Sequence, residues 1–189
     1  MMLKKSVLGI LIILFAAVSP LSSAQGEKAC IEDLHISRGK ENLSITFCVK
    51  NCFNKKMVEA IKAGIPTTFN FFAKLHKKRP LIWNNKIASY QFRHTIVYDN
   101  LKDNFRIWLE EQDKEIEVQD LEEAKQYMQR VEVFPVIRGW ELKRGTYDLA
   151  IKAELDPVRL PLRLECILFF VSLWDFETDW YHRTVRVEP

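Results

Sequence analysis

Apolar and polar residues alternate with a period of two along much of the chain, the signature of half-buried strands. The clearest case is 67–77, where Phe69, Phe71, Ala73 and Leu75 alternate with Thr68, Asn70, Lys74 and His76. Residues 31–38 and 43–50 read as a hairpin about Gly39 to Asn42, with Leu34 and Ile36 on the same side as Leu43, Ile45, Phe47 and Val49. Residues 87–98 place Ala88, Tyr90, Phe92, Ile96 and Tyr98 on one face, and Phe105, Ile107 and Leu109 mark a further strand beyond the turn at Asp99 to Asn104. Such consecutive strands are expected to be neighbours in an antiparallel meander. An extended segment near Val131 to Val136 follows. A strand carrying Tyr147, Leu149, Ile151, Ala153 and Leu155 comes next, introduced by Gly145.

Two segments change to a helical period. Asn54 is placed to cap a short helix with Val58, Ile61 and Ile65 as its buried stripe, closed by Gly64 and Pro66. Asp120 and Glu123 make a capping-box-like start for a second helix, with Leu121, Ala124 and Met128 on one side. Leu160 to Trp174 is almost continuously apolar, with Arg163 and Glu165 as its only charges, and suits a buried strand and a helix equally. Fully exposed, it would form a patch far larger than soluble monomers carry. It is therefore expected to be mostly buried, with a flank of Phe169, Phe170 or Trp174 accessible. Strands dominate and no strand-helix repeat is present. The expected fold is mainly β (α+β), an antiparallel β-sandwich with two or three short helices, formed as a single globular domain by residues 25–189.

The first residues read differently. Lys4 and Lys5 precede the apolar run Val7 to Val18, Ser19-Pro20 breaks it, and Ser22-Ser23-Ala24 resembles a signal-peptidase site. Residues 1–24 are thus expected to be a signal peptide cleaved after Ala24. A dozen helical residues span about 18 Å against a hydrocarbon core of about 30 Å, which favours export to the periplasm or cell envelope over anchoring. Of 28 basic residues, two lie in this leader, so the remainder carries 26 basic against 25 acidic residues. A nearly neutral chain leaves no nucleic-acid footprint. With six glycines and no G-x-S-x-G, P-loop or dinucleotide-binding pattern, nucleotide enzymes are disfavoured as well.

Cys30, Cys48, Cys52 and Cys166 all lie beyond the leader, and an oxidising compartment opens three connectivities. A five-residue hairpin loop would set Cys30 opposite Cys52, whereas the apolar faces favour a four-residue loop that sets Cys30 opposite Asn51. Cys30 to Cys52 is the pairing expected. His35, His76, His94 and His182 show no short metal-ligand spacing, and His94 shares a strand face with Phe92 and Ile96, as a core or interface histidine would. No metal or cofactor is expected. Asp175, Glu177 and Asp179 alternate as the carboxylates of a hydrolase or calcium site would, but Phe176, Thr178 and Trp180 interleave with them, as along the wet edge of a packed segment. Lys74, His76, Lys77, Lys78 and Arg79 form the densest basic run, followed by Leu81, Ile82 and Trp83, a composition suited to an anionic membrane surface or to a solvated turn.

Several stretches together resemble a bacterial family, the domain of unknown function 4390. They are Phe53 with Val58-Glu59-Ala60-Ile61; Gly64-Ile65-Pro66-Thr67-Thr68-Phe69; Arg79 and Trp83; Ile87-Ala88; Tyr98-Asp99-Asn100-Leu101 with Phe105; Glu123-Ala124; Tyr147; and Leu160-Pro161-Leu162. The long motif Phe169 to Tyr181 resembles the form found in one subgroup. The resemblance implies an exported bacterial protein, some of whose relatives are encoded near a membrane sensor kinase, and it transfers no catalytic residue. The expected function is a non-catalytic envelope module that binds another protein. Its candidate surface is drawn from Lys77, Lys78, Arg79, Trp83, Phe169, Phe170 and Trp174. An apolar-ligand or membrane-surface binder is the alternative, and a hydrolase built on the acidic triplet is third.

Overall fold

The computed structural model describes residues 27–39, 42–79, 85–138, 143–156 and 176–187. The expected signal peptide (residues 1–24), Trp83, Cys166, Asp175 and the whole of 160–174 lie outside the described residues. In chain order the elements are β1 (Cys30–Arg38), β2 (Asn42–Lys50), α1 (Lys55–Lys62), β3 (Thr67–Lys77), β4 (Asn85–Asp99) and β5 (Asn104–Leu109). A 3-10 turn (Glu110–Gln112), β6 (Lys114–Val118), α2 (Leu121–Gln129), β7 (Arg130–Arg138), β8 (Gly145–Leu155) and β9 (Tyr181–Val187) complete them. A three-stranded sheet has the order β1-β2-β7, and a six-stranded sheet the order β6-β5-β4-β3-β8-β9; every pairing is antiparallel. The expected sandwich and the β3-β4-β5 meander are both present.

Period-two patterning places the core between the sheets. Phe69, Phe71, Ala73 and Leu75 of β3 are buried, as are Leu43, Ile45, Phe47 and Val49 of β2. Phe47 meets Phe71 edge-on at 5.9 Å between ring centroids, and Phe92 of β4 stacks on Phe134 of β7 at 4.5 Å. The two sheets are therefore joined by interdigitating rings, each burying a large apolar area. The helices start where the polar caps stand: Asn54 accepts a hydrogen bond from the Met57 amide at 2.9 Å, and Asp120 from the Glu123 amide at 2.8 Å. In α1 the buried pair is Met57 and Ile61, four residues apart on one face. The expected Val58 and Ile65 are only half-buried, because Val58 lies beside that face and Ile65 falls past the helix end.

The first hairpin departs from expectation in one respect. Near its turn Arg38 pairs with Leu43 and Ile36 with Ile45, the register of a four-residue loop. A bulge between Glu32 and His35, with Asp33 in the left-handed region at φ 52°, then shifts the pairing by one residue. Ile31 and Leu34, of opposite parity, thereby both turn toward the core. Cys30 consequently faces Lys50, not Asn51 or Cys52.

Two strands had no expectation attached to them. β6 has three charges among its five residues, and β9 carries two arginines and a histidine, so neither offers a clean apolar face. Both are edge strands of the larger sheet, where charge is the ordinary defence against edge-to-edge pairing.

Candidate functional site

The face of the larger sheet turned away from the core is built by the even-numbered positions of β3 and β8. Phe72 breaks the polar run of that face and stands between Gln91 of β4 and Lys152 of β8 in the strand register. Just before β9, Trp180 lies across it: Lys74 Nζ sits 4.2 Å from the indole centroid, Lys152 Nζ 6.0 Å away, and the Phe72 ring 6.4 Å away. Lys152 is fixed in turn by Glu154 at 2.7 Å and Glu177 at 2.5 Å. These two carboxylates hold the Lys152 ammonium in its charged form through hydrogen bonds and charge, so its pKa is raised. The result is a strip of alternating aromatic and cationic groups whose indole remains 36% exposed although its position is set. Cations over an aromatic face add about 0.5–1 kcal/mol each at exposed sites, enough to orient the ring without burying it.

The basic run at the end of β3 adjoins this strip. Lys77 Nζ donates to the Arg144 carbonyl at 2.9 Å and Lys78 Nζ to Thr184 Oγ1 at 3.0 Å, so both ammonium groups tie β3 to its neighbours. Asp148 gathers Lys78 at 3.9 Å and His182 Nδ1 at 2.9 Å. Arg79 is exposed. The other members of the expected surface, Trp83, Phe169, Phe170 and Trp174, lie outside the described residues. Phe72, Lys152 and Trp180 were not singled out for this surface by sequence. The available signal was Phe72, an apolar residue in the polar phase of a strand.

Glu177 and Asp179 are held by different cations: Glu177 by Lys152, and Asp179 by Lys28 Nζ at 2.8 Å. Between them Thr178 is buried, donates its amide to the Ala153 carbonyl and accepts the Ala153 amide on its hydroxyl at 3.0 Å. Phe176 is buried against Phe69 at 4.7 Å between centroids. This segment thus extends the sheet beside β8, with its acids on the wet side.

His94 is wholly buried between Phe71 and Phe92, as a core histidine was expected to be. Its Nε2 is 3.0 Å from Glu111 Oε2, and its Nδ1 is 3.1 Å from the carbonyl oxygens of both Tyr127 and Met128. Burial pushes the Glu111 carboxyl up, but the hydrogen bond and charge of His94 outweigh it, so its pKa lies below the ordinary value. His35 lines a polar cleft of about 380 Å³ with Asp33, Cys48, Lys50, Gln126 and Arg130. Cys30, Cys48 and Cys52 stand as free thiols in the structure, and the strand register sets Cys30 opposite Lys50. Burial pushes the Cys52 thiol up to about 12. Among the described residues no group of three histidine, cysteine or acidic side chains is gathered to hold a metal, and no helix is long and apolar enough to cross a membrane.

The sequence profile of the domain of unknown function 4390 matches residues 26–184, and the chain belongs to that family. No curated protein and no solved structure matches it.

Proposed function

We propose that this member of the family is an exported, non-catalytic envelope module that binds another protein through the strip of Phe72, Lys74, Lys152 and Trp180. The observation that carries this reading is Trp180 itself, more than a third exposed yet held beneath the Lys74 ammonium. A tryptophan that is ordered before binding gives up little freedom on contact, and tryptophans of this kind dominate interface energetics. The matching partner surface is an apolar pocket for the indole, rimmed by carboxylates that meet Lys74. Export rests on the basic start, the apolar run Val7 to Val18 and the small residues before Gln25.

Affinity recovery from the native envelope tests the reading, using the parent chain, Trp180→Ala and Lys74→Glu at matched thermal stability. A specific protein recovered by the parent should fall by about tenfold or more with either change, the loss typical of a central interface residue. Equal recovery by all three chains contradicts the assignment. Flotation of the parent with anionic vesicles, abolished by Lys74→Glu, would transfer the surface to lipid. Mass measurement of the envelope protein should give a chain beginning at Gln25, and an intact Met1 would overturn export.

A further inference from the structure

β9 is one outer edge of the larger sheet, and among the described residues it pairs with β8 alone. Its other side presents a row of main-chain N–H and C=O groups, the template for one more strand. The register sets His182 opposite Ala150, Thr184 opposite Asp148 and Arg186 opposite Thr146, so these three stand on the outer face in line with Trp180. Tyr181, Arg183 and Val185 alternate with them on the core side. We infer that an extended, acidic segment of the partner adds to β9 as a further strand, one end beside Trp180 and its carboxylates against Arg183 and Arg186. The inference rests on the reading of Trp180 as a protein-contact residue and supplies the chemistry of the segment that reaches it.

The two edges of the larger sheet treat their charges differently. On β6, Glu115 lies 3.8 Å from Arg106 and Glu117 3.5 Å from Lys102, so its acids are answered within the chain. On β9, Arg183 and Arg186 are exposed and have no acidic partner among the described residues. Asp148, in register between them, is already engaged by Lys78 at 3.9 Å and His182 at 2.9 Å. Tyr181 and Val185 pack against the core but are only partly covered. A strand laid alongside would complete that apolar cover and meet one arginine on each face, whereas a free anion would leave the main-chain groups of the edge unpaired.

The same charges exclude the simplest alternative occupant. A second β9 would bring arginines against arginines, and like charges directly opposite one another destabilise a strand pair. The β6 edge of a second copy brings acids that are already engaged, and such head-to-tail pairing would propagate as an open chain of copies. An acidic strand from a different protein meets neither obstacle. Its pattern follows from the register: apolar residues opposite Tyr181 and Val185, acids opposite Arg183 and Arg186, and an apolar residue at the Trp180 end.

Amide hydrogen exchange on the full chain with two end-blocked peptides tests this. One peptide, Glu-Val-Thr-Glu-Thr-Val-Leu, is written to meet β9 antiparallel, the orientation of every pairing in both sheets. The other carries lysine in place of both glutamates. At about ten times its Kd the acidic peptide should slow, by about tenfold, those β9 amides that β8 leaves free, with β1, β6 and β7 unchanged. The lysine peptide should bind about tenfold or more weakly, and the preference should reverse in the double variant Arg183→Glu and Arg186→Glu. Should that variant fold poorly, the choice made by the parent and the place of protection decide alone. No saturable protection at about 1 mM peptide, equal effects of both peptides, protection of a different edge, or association of the chain with itself through β9 overturns the inference. Recovery with Trp180→Ala tests the strip separately. Lost recovery without peptide binding removes the added strand and leaves the strip standing, and peptide binding with undiminished recovery does the reverse.

Discussion

Lys77 and Gly145 meet so closely that a Cβ added to the glycine would stand 2.7 Å from Lys77 Cε. Gly145 opens β8 at φ 152°, a conformation that side chains rarely adopt, and the neighbouring Arg144 carbonyl receives the Lys77 ammonium. The glycine that introduces the strand is thus also the seat of the lysine that ends β3.

Gly145→Ala should destabilise the fold by about 1–2 kcal/mol, chiefly through the backbone, because the lysine tip is free to move aside. Urea melts of Gly145→Ala with and without Lys77→Ala separate the two causes. Most of the loss should persist when Lys77 is truncated; full recovery would assign the cost to the contact instead.

Adjacent phenylalanines give a test of the sheet faces. Phe71 is fully buried against Phe47, Phe92 and His94, whereas Phe72 lies on the outer face. Phe71→Ala should cost about 3–5 kcal/mol and Phe72→Ala about 1 kcal/mol or less. Comparable losses in chemical denaturation would contradict the register of β3.

The acid limb of stability should carry the mark of Glu111. Its pKa is lowered in the fold, so its contribution is present above the ordinary value of 4.5 and is lost as pH falls through the folded value. Melting temperatures of Glu111→Gln should accordingly converge on those of the parent as pH falls below about 4. A constant difference across that range would show that the carboxylate charge is not what His94 requires.

Thiol reactivity separates the cysteines. Burial pushes the Cys52 thiol up to about 12, with Cys48 and Cys30 raised less and more accessible. Native maleimide labelling at about pH 7.5 should modify Cys30 and Cys48 well before Cys52, since the thiolate is the reactive form. Failure of both Cys30 and Cys52 to label without reduction, with recovery on reduction, would establish the bond expected from sequence.

The sequence announced those parts of the structure that depend on local alternation and caps. β3 runs over the residues its pattern marked because its inward face is apolar from Phe69 to Leu75, and Asn54 and Asp120 cap the helices they precede. β6 and β9 escaped because edge strands trade apolar residues for charge. The hairpin register escaped because one left-handed residue, Asp33, resets the parity of β1. The candidate surface was half legible: Lys74 and Lys77 to Arg79 stand in one basic run, but Lys152 and Trp180 reach that face only through the β3-β8-β9 order. The partners of His94 were hidden for a similar reason, since two are main-chain carbonyls more than thirty residues away.

Site-directed photocrosslinking in native cells tests the binding role most directly, with the probe at Ser89, the exposed register partner of Lys74, and a control probe at Glu122 on the exposed side of α2. The Ser89 probe should join one defined envelope protein that the Glu122 probe does not. Once purified, that protein should bind the parent chain and lose about tenfold or more in affinity toward Trp180→Ala. No adduct from Ser89, equal adducts from both positions, or undiminished binding to Trp180→Ala would contradict the assignment of this face.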